Sequence, residues 1–252
     1  MIFRRLSVAL LSLMASEGAD TTDTTIASYV LAHRGEVATM SVRDLAVACH
    51  VGTGTVSRFC RHAGLAGFDD LRRAAAEPAD RLEPVGPGDA AGAWAGRVPP
   101  AVAQAARTAD KAAVGKLAQE MRRRERIAAF GLLKAQAAAI CLQADLLMCG
   151  RVVRTHTSYA DQLAHVLAHD TDEVVVVFSC TGGYFEGVRL DREQERFLAR
   201  RNLWMVAPRG CPVPGFLSGL VAFESDGDQL AHPFHLQAVA SLIAQEYTAT
   251  SA

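Results

Sequence analysis

In the C-terminal half of the chain, short apolar runs alternate with helical stretches. Five apolar runs cover residues 126–131, 151–155, 173–179, 203–208 and 219–225. Helical stretches lie before, between and after them, at about 101–121 and 134–148, around Gln162 and Arg196, and at 233–247. Strands of continuous apolar residues that alternate with helices are typical of a parallel sheet covered on both faces. The pattern predicts an α/β, doubly wound domain with a five-stranded parallel sheet.

The first 76 residues follow a different pattern, in which short helical segments are joined by turns. At the start of the chain, apolar positions repeat at intervals of three and four, at Phe3, Leu6, Leu10, Leu13 and Met14. That spacing favours one face of an amphipathic helix over a secretory signal, which the basic pair Arg4 and Arg5 imitates. We therefore expect an all-α N-terminal domain.

Residues 40–62 carry the signals of two short helices about a tight turn. Ser41 is placed to cap the first helix, and Asp44, three residues on, is placed to answer it in a capping box. The first helix ends before residues 50–52, and a second is predicted over about 53–62. Such a pair predicts a helix-turn-helix, whose second helix enters the major groove of DNA.

The second helix presents short hydroxyls and guanidinium groups on its open face. Once the apolar positions are removed, the face consists of Thr53, Thr55, Ser57, Arg58 and Arg61. Arg grips guanine bidentately, and Ser and Thr bond phosphates or bases. We predict that these five residues, together with Ser41, bind double-stranded DNA. The alternative is the solvated face of an ordinary helical domain.

Prolines mark the boundary between the two patterns. The segment 77–100 holds five of the nine prolines of the chain. Because proline fixes φ and removes a backbone donor, we expect a linker there rather than a continuous helix or a central strand. The chain is thus divided into a helical domain over 1–76, a linker over 77–100 and an α/β domain over 101–252.

The composition narrows the classes of function. Lys and Arg number 26 against 27 Asp and Glu, so a polybasic coat protein is excluded and any DNA-binding charge must be local. The six cysteines form no C-x-x-C pair and are interpreted as reduced core residues. No stretch approaches the roughly 20 apolar residues of a membrane span. We expect a cytoplasmic protein with no membrane partner, metal or cofactor.

The sequence MSVRDLAVACHVGTGTVSRFCRHAGLAGFDDLRRA, residues 40–74, resembles the N-terminal domain of the RpiR/MurR family of bacterial transcriptional regulators. The family pattern is matched in register at Val51, Thr55, Val56, Arg58, Phe59, Gly64, Leu65, Gly67, Phe68 and Leu71. Gly52 is a departure, because the family usually has a serine there that caps the recognition helix, and Thr53 is the candidate substitute. The resemblance implies a DNA-binding regulator of carbohydrate metabolism.

The family's second domain is a sugar isomerase (SIS) fold, and the resemblance implies the same fold, pairing of subunits and phosphosugar binding here. The loop SCTGG, after the run 173–179, matches the family's S-x-S-G phosphate-binding turn at Ser179, Thr181, Gly182 and Gly183. Hydroxyl groups donate to an anion, and glycine lets backbone amides close around it. The alternative is a tight strand-to-helix connection.

The family's other loop, after the first strand, is altered in this chain. It keeps Gly131 and loses the serines, and Lys134 is predicted to replace hydroxyl contacts with a charge for phosphate. His156, in the loop after the second predicted strand, is expected to face the same crevice. These two residues join the loop SCTGG as predicted phosphosugar ligands, although solvation alone also explains a lysine at a helix start.

Two other functions stay open. A phosphosugar isomerase needs a base near the substrate carbon, for which Glu186 and His156 are available but unmarked by any constellation. His165 and His169 lie four residues apart but are interpreted as a helix-surface pair rather than metal ligands. The altered first loop favours a DNA-binding protein whose SIS domain only dimerises. We expect a regulator without enzymatic activity.

Oligomerisation follows from the size of the recognition unit. A single small helix-turn-helix buries too little surface for tight specific binding. Two recognition helices are therefore expected to meet half-sites about 34 Å apart, which requires a homo-oligomer, either a dimer or a tetramer.

Overall fold

The computed structural model describes residues 5–16, 21–77, 90–168, 172–185, 188, 190–228 and 231–249. The chain forms two compact units. One comprises residues 2–81 together with 156–164, and the other comprises 82–155 together with 165–252. The segment 156–164 thus packs with the N-terminal residues, although it lies in the middle of the predicted α/β domain.

The N-terminal unit is helical, as predicted. Its helices are α1 (Arg5–Ser16), α2 (Thr22–Ala32), α3 (Arg34–Val37), α4 (Val42–Ala48), α5 (Thr53–His62) and α6 (Phe68–Ala76). The amphipathic reading of the first residues is confirmed, because Leu6, Leu10 and Leu13 of α1 are buried in the core that also holds Ile26 and Phe59. Residues 1–4 lie outside the described part of the chain.

The sheet of the second unit has four parallel strands in the order β1-β2-β3-β4. They are β1 (Arg126–Gly131), β2 (Glu173–Phe178), β3 (Asn202–Pro208) and β4 (Gly219–Phe223). The predicted parallel α/β fold is confirmed. Apolar runs locate these strands well because each is buried on both faces.

The prediction of a fifth strand over residues 151–155 is wrong in its extent. Of the run 151–155, only Arg154 pairs with the sheet, in a single bridge to Ala128 beside β1. Its N–H donates to the Ile127 carbonyl at 2.8 Å, and its carbonyl accepts from the Ala129 N–H at 2.8 Å. Val152 turns 72% of its surface to solvent, so the run lies on an open edge instead of inside the sheet.

The helices around the sheet are α7 (Ala90–Thr108), α8 (Lys111–Arg123), α9 (Gln136–Leu147), α10 (Tyr159–Leu167), α11 (Arg192–Leu198) and α12 (His232–Ala249). One face of the sheet joins a core shared with α8, α9 and α12. On the other face, the Phe130 ring meets the His165 ring of α10, with the centroids 5.1 Å apart. Helices therefore cover both faces, as the apolar strands require.

The proline-rich segment is helical where it is described. Helix α7 begins at Ala90, so the helix start expected near residue 101 is wrong, and Pro99 and Pro100 lie inside the helix. The carbonyls that lose their helical donors belong to Ala95 and Gly96, which are exposed and open to water. Val98 of the same helix is buried. Residues 78–89 of the expected linker lie outside the described part.

The six cysteines are all unpaired, but not all are core residues. Cys49 and Cys60 are buried, whereas Cys149 is exposed at the end of α9. Apolar neighbours in the sequence misled the interpretation of Cys149, because the two preceding apolar residues, Leu147 and Met148, are themselves exposed. Across the described helices, we find none with the length and apolar character needed to cross a membrane.

Candidate functional site

The N-terminal unit presents a helix pair, α4 and α5, whose first member begins as predicted. Ser41 Oγ accepts from the Asp44 N–H at 3.3 Å, and the Ser41 N–H donates to Asp44 Oδ2 at 2.8 Å. Hydrogen bonding of the Asp44 carboxylate with the Ser41 side chain and with the Ser41 backbone lowers the pKa of Asp44. Ser41 thus serves the helix start, and its predicted contact with DNA stays a prediction.

The turn between α4 and α5 closes in a Schellman motif. His50 adopts a positive φ of 55° and donates its N–H to the Val47 carbonyl at 3.0 Å. The Val51 N–H reaches back to the Ala46 carbonyl at 2.8 Å. Both hydrogen bonds fix the angle at which the chain enters α5.

Helix α5 begins at Thr53 with Gly52 as its N-cap, and no side chain caps it. The expectation that Thr53 takes over the capping is therefore wrong, because Thr53 is already the first helical residue. Gly52, Thr53 and Gly54 are exposed, so the unpaired N–H groups of the first turn are open to an anion such as a phosphate.

The outer face of α5 has the predicted chemistry. Val56, Phe59 and Cys60 are buried, and His62, at the end of the helix, lies 2.6 Å from Asp23 Oδ2; the other polar side chains of the helix are Thr53, Thr55, Ser57, Arg58 and Arg61. The Ser57 hydroxyl donates to the Thr53 carbonyl at 3.1 Å. The structure therefore brings all five predicted recognition residues onto one helix.

The basic residues near this face differ in their partners. Arg72 pairs with Asp69 at 3.3 Å, and Arg73 pairs with Asp70 at 3.5 Å. Within the described residues, by contrast, Arg58 and Arg61 form no ion pair. Their charges are therefore available to a DNA backbone or to base edges.

A second candidate site lies at the carboxyl edge of the sheet. With the bridge segment at Arg154 counted, the spatial order places β1 between a later segment and β2, as in a 2-1-3-4-5 sheet. In such sheets the ligand crevice forms where the order reverses, outside the carboxyl ends of the strands. That position is between β1 and β2, where the loops after Gly131 and Phe178 begin.

The loop after β2 is tightly built at Gly182. Gly182 has a φ of +75°, and a Cβ there would lie 2.4 Å from the Pro212 carbonyl oxygen and 2.8 Å from Cys211 Cβ. The Thr181 hydroxyl accepts from the Gly183 N–H at 3.3 Å, and Ser179 is buried. A three-residue 3-10 turn over Gly183–Phe185 follows. The loop therefore holds the four predicted ligand residues together.

The loop after β1 folds back onto its own start. A Cβ on Gly131 would lie 2.6 Å from the Ala135 carbonyl, so this position also requires glycine. Leu133 takes a positive φ of 52°, an unusual conformation for leucine. Gln136 Oε1 accepts from the Gly131 N–H at 3.2 Å, and Gln136 Nε2 donates to Thr155 Oγ1 at 2.8 Å. Gln136 was missed in the sequence because its position inside a helical stretch concealed its role.

Three side chains from different loops interact electrostatically at this edge: Lys134, Cys180 and His232. Burial raises the pKa of the Cys180 thiol to about 12, against the opposing charge of Lys134. Burial also lowers the pKa of His232, and His235 and Lys134 add to that effect. Cys180 Sγ lies 4.0 Å from the His232 carbonyl. The predicted Lys134 therefore lies within electrostatic range of the loop that carries Ser179 and Gly182.

His232 and His235 were not predicted, although they stand at the start of the helix that follows β4. Their placement at a strand's carboxyl end was the available signal. His235 Nδ1 lies 3.2 Å from Ser225 Oγ, whereas its Nε2 is buried and unpartnered among the described residues. The two rings are 6.5 Å apart. A pair of imidazoles therefore borders the crevice.

The lowered pKa of His232 predicts acid sensitivity. Below its ordinary pKa of 6.5, the unfolded chain takes up a proton that the folded chain resists, so stability falls as the pH drops from 7.5 to 5.5. His232→Gln should lose less stability over that interval in urea unfolding measurements. An equal loss in the wild type and the variant would contradict a buried neutral His232.

The roles of the other candidate residues stay predictions. His156 belongs to the N-terminal unit through the segment 156–164, and its carbonyl accepts from Gln162 Nε2 at 2.7 Å. Its role toward a ligand stays a prediction. Glu186 and His169 lie outside the described residues. His165 binds Glu173 at 2.8 Å, and in the described part of the chain no three metal-ligating side chains gather.

The model of the helix-turn-helix domain of the rpiR family matches residues 10–79, which include α4 and α5. Residues 10–79 are an rpiR-family helix-turn-helix domain. The second helix of the pair in this rpiR domain is α5, and its open face carries Arg58 and Arg61. A comparison with curated proteins gives no match.

Two solved structures share the architecture that follows the rpiR domain. NanR of Vibrio vulnificus, solved in complex with ManNAc-6P, is 16% identical over 97% of this chain and 92% of that chain, with a TM-score of 0.52. The sugar isomerase domain of an RpiR transcription factor from Sphaerobacter thermophilus is 16% identical over 65% of this chain and 92% of that chain, with a TM-score of 0.51. These likenesses show the fold, an α/β domain of the sugar isomerase type.

Proposed function

We propose that the protein is a bacterial transcriptional regulator of carbohydrate metabolism that binds operator DNA through α5 and a phosphorylated sugar or amino sugar at the β1–β2 crevice. The observation that carries the proposal is the outer face of α5, where Arg58 and Arg61 stand without ion pairs in the described structure, inside an rpiR-family domain. An exposed guanidinium is the donor that guanine and phosphate accept best.

The first turn of α5 supports contact with phosphate as well. With Gly52 as a bare N-cap, its backbone N–H groups and the positive end of the helix dipole are open to an anion. The serine of the family pattern would occupy those donors from within the protein. We propose that Gly52 leaves them to the DNA backbone.

The crevice supports an anionic ligand. The loop at Gly182 contains the hydroxyls of Ser179 and Thr181, and Lys134 brings a positive charge from the neighbouring loop. NanR, which shares the fold, is described with ManNAc-6P. We propose a phosphosugar effector for this chain on these grounds, with Ser179, Thr181, Gly182, Gly183 and Lys134 as the phosphate ligands.

We propose that the protein acts in the cytoplasm as a homo-oligomer. A single recognition helix reaches only one half-site, and two half-sites lie about 34 Å apart on the duplex. We propose that residues 1–76 are the DNA-binding part of the working molecule.

Thermal unfolding of the full chain tests the effector. The probes are ManNAc-6P, glucosamine 6-phosphate, each sugar without its phosphate, and inorganic phosphate. A ligand at 100 times its Kd stabilises the folded state by about 2.7 kcal/mol, which raises the Tm by roughly 5–10 °C for a chain of this size. We expect a shift from a phosphosugar and none from the same sugar without phosphate.

Two outcomes of that experiment would contradict the proposed effector. An equal Tm shift with the unphosphorylated sugar would show that the site does not recognise the phosphate. If no probe shifts the Tm, the proposed ligand class is wrong and the second domain is reduced to a dimerisation module. Turnover of a phosphosugar by the purified protein would instead establish an isomerase.

A further inference from the structure

Helix α9 is apolar on two opposite sides, although only one of them is buried. The inner side joins the core of the α/β unit through Ala138, Ala139, Leu142 and Leu146. The outer side also repeats at intervals of three and four, and it consists of Ala137, Ile140, Cys141, Ala144, Leu147 and Met148. A surface helix normally turns charged or polar residues to solvent on that side. The outer side of α9 therefore has the composition of a surface that another element covers.

The large side chains on this outer side are exposed to solvent. Ile140 has 45% of its surface exposed, Leu147 58% and Met148 90%. Trp94 of α7, which is 44% exposed, belongs to the same surface because it lines one groove together with Cys141. These four residues are half of the eight large apolar side chains that are exposed in the described part of the chain. Exposed apolar side chains that gather in one patch mark an interaction surface, whereas scattered ones do not.

A groove of about 460 Å³ opens beside α9, between α7 and α12. Apolar side chains from all three helices line it: Trp94, Val98, Val102, Cys141, Phe234 and Ala238. The Trp94 ring meets the Phe234 ring edge-on, with the centroids 5.9 Å apart, a favourable geometry that holds the indole at the groove. Cys141 belongs both to the groove and to the outer side of α9. The six groove residues and the outer side of α9 thus form one surface, called here the apolar face.

The centre of the apolar face carries no charge. Gln237 and Ser241, which also line the groove, are uncharged. Asp145 is half-buried and lies about 100° around the helix from Ala144, at the side of the face. A charged partner would leave its own charges unmatched here, whereas a second copy of the chain brings one uncharged surface to another. Interfaces between identical subunits are also the more apolar class.

The apolar face is complementary to itself along α9. Met148, the most exposed of its side chains, lies seven residues from Cys141 at the groove, which is about 10 Å along a helix. A two-fold axis midway between them, beside Ala144, pairs two α9 helices in antiparallel directions. Met148 of each copy then lies against Cys141 and the groove of the other copy. Ala144 is exposed and small, so the two backbones can approach closely at the axis.

The size of the apolar face also fits a subunit interface. Helix α9 has 12 residues and α12 has 18, so they measure about 18 and 27 Å, and packed helices lie 8–10 Å apart. The face of three helices therefore covers roughly 500 Å² when it is projected flat, and its accessible area is larger. Monomeric proteins expose apolar patches of about 300–600 Å² at most, and a stable dimer buries about 800 Å² per partner.

We propose that two copies of this chain associate through the apolar face, with α9 of one copy antiparallel to α9 of the other. The inference rests on the proposed function, because it assigns a surface to the homo-oligomer that two DNA half-sites require. It names the partner as a second copy of the chain and the contact as Met148 against the groove at Cys141.

Replacing Met148 by Glu in the full chain tests the apolar face. Because Met148 is 90% exposed, the substitution leaves the fold intact, and an unchanged Tm at low protein concentration verifies this. A carboxylate in the apolar centre of an interface raises the Kd for association by about 10²–10³-fold. Light scattering after gel filtration should give half the wild-type mass for the variant. Ala144→Glu, at the proposed axis, should give the same result, since Glu is a good helix former.

Leu11→Glu is the matched control, because Leu11 is also a half-exposed apolar residue of a helix but lies on α1, outside the apolar face. It should keep the wild-type mass. Trp94 supplies a second readout, since the other tryptophan of the chain, Trp204, is only 2% exposed. Quenching by acrylamide therefore reports on Trp94, which should be protected in the wild type and in Leu11→Glu and accessible in Met148→Glu.

The remaining outcomes assign the failure. A wild type with the 26.9 kDa mass of one chain overturns the proposed homo-oligomer and the inference together, while α5 and the phosphosugar site are tested separately. An oligomeric wild type whose mass and Trp94 protection persist in Met148→Glu and Ala144→Glu overturns the apolar face alone. Protection of Trp94 in a protein of single-chain mass would show that another segment of the chain covers the face. Equal loss of mass in Leu11→Glu would reduce the effect to added charge and also contradict the inference.

Discussion

The double substitution Arg58→Ala and Arg61→Ala is expected to reduce specific DNA affinity by about 10²–10⁴-fold, because each guanidinium contact with a base or phosphate is worth about 1–3 kcal/mol. Both side chains lie on the exposed face of α5, and among the described residues neither forms an ion pair with a carboxylate. The helix itself should persist, since its buried residues are Val56, Phe59 and Cys60.

Salt dependence shows which of the two arginines touches phosphate. Each phosphate contact contributes about 0.9 to the slope of log K against log salt, so its loss flattens the slope by that amount per subunit. Loss of a base contact lowers affinity mainly for the operator and leaves binding to random DNA nearly unchanged. Fluorescence anisotropy on operator and random duplexes, with salt titrated from low to physiological values, makes both measurements.

The matched control is Arg72→Ala with Arg73→Ala, which removes the same amount of charge from α6. These arginines are already paired with Asp69 and Asp70, at 3.3 and 3.5 Å, and should contribute little to binding. Equal losses from the two double variants would reduce α5 to one part of a general basic surface. Unchanged binding in the α5 variant would refute α5 as the recognition helix.

Gly182→Ala is expected to have the second large effect, on the crevice. The added Cβ meets the Pro212 carbonyl at 2.4 Å and Cys211 at 2.8 Å, so the loop must move before it can accept any side chain. The positive φ of 75° adds strain of about 1–2 kcal/mol for any residue but glycine. We expect a lower Tm and loss of the Tm shift produced by the phosphosugar.

Gly210→Ala separates the clash from the backbone strain. Gly210 has a φ of +82°, and a Cβ there meets nothing within 4 Å. It should lower the Tm modestly and preserve the response to the phosphosugar. If Gly182→Ala still shows the wild-type Tm shift on addition of the phosphosugar, the loop SCTGG is excluded from the binding site.

Local patterns were enough for the elements whose physics is local. The second helix of the pair was expected over 53–62 and is observed there, because Ser41, Asp44 and the apolar positions Val56 and Phe59 specify its surroundings within a few residues. Strands β1 to β4 were located because each is buried along nearly its whole length. The charge at Arg58 and Arg61 followed from the same helical periodicity.

Elements that depend on distant contacts were predicted less well. The run 151–155 has the composition of a strand, yet it lies at an open edge where only Arg154 finds a partner. Helix α7 extends through Pro99 and Pro100 because Val98 and Ala101 pack against Ala231, far along the chain. Neither contact is encoded near the residues concerned.

The crevice was predicted in part for the same reason. The loop SCTGG is a contiguous motif and was found, whereas Gln136, His232 and His235 come together only through the sheet. The proposed function therefore involves contacts that only the folded structure reveals.

The most direct test of the account is the binding of the purified full-length protein to duplex DNA from upstream of its own gene and the neighbouring genes, measured with and without phosphosugar. The account predicts a Kd of about 10⁻⁸–10⁻¹¹ M at physiological salt, a steep salt dependence and a change on addition of the sugar. Binding no tighter than about 10⁻⁶ M, with no preference over random DNA and no response to any phosphosugar, would contradict it.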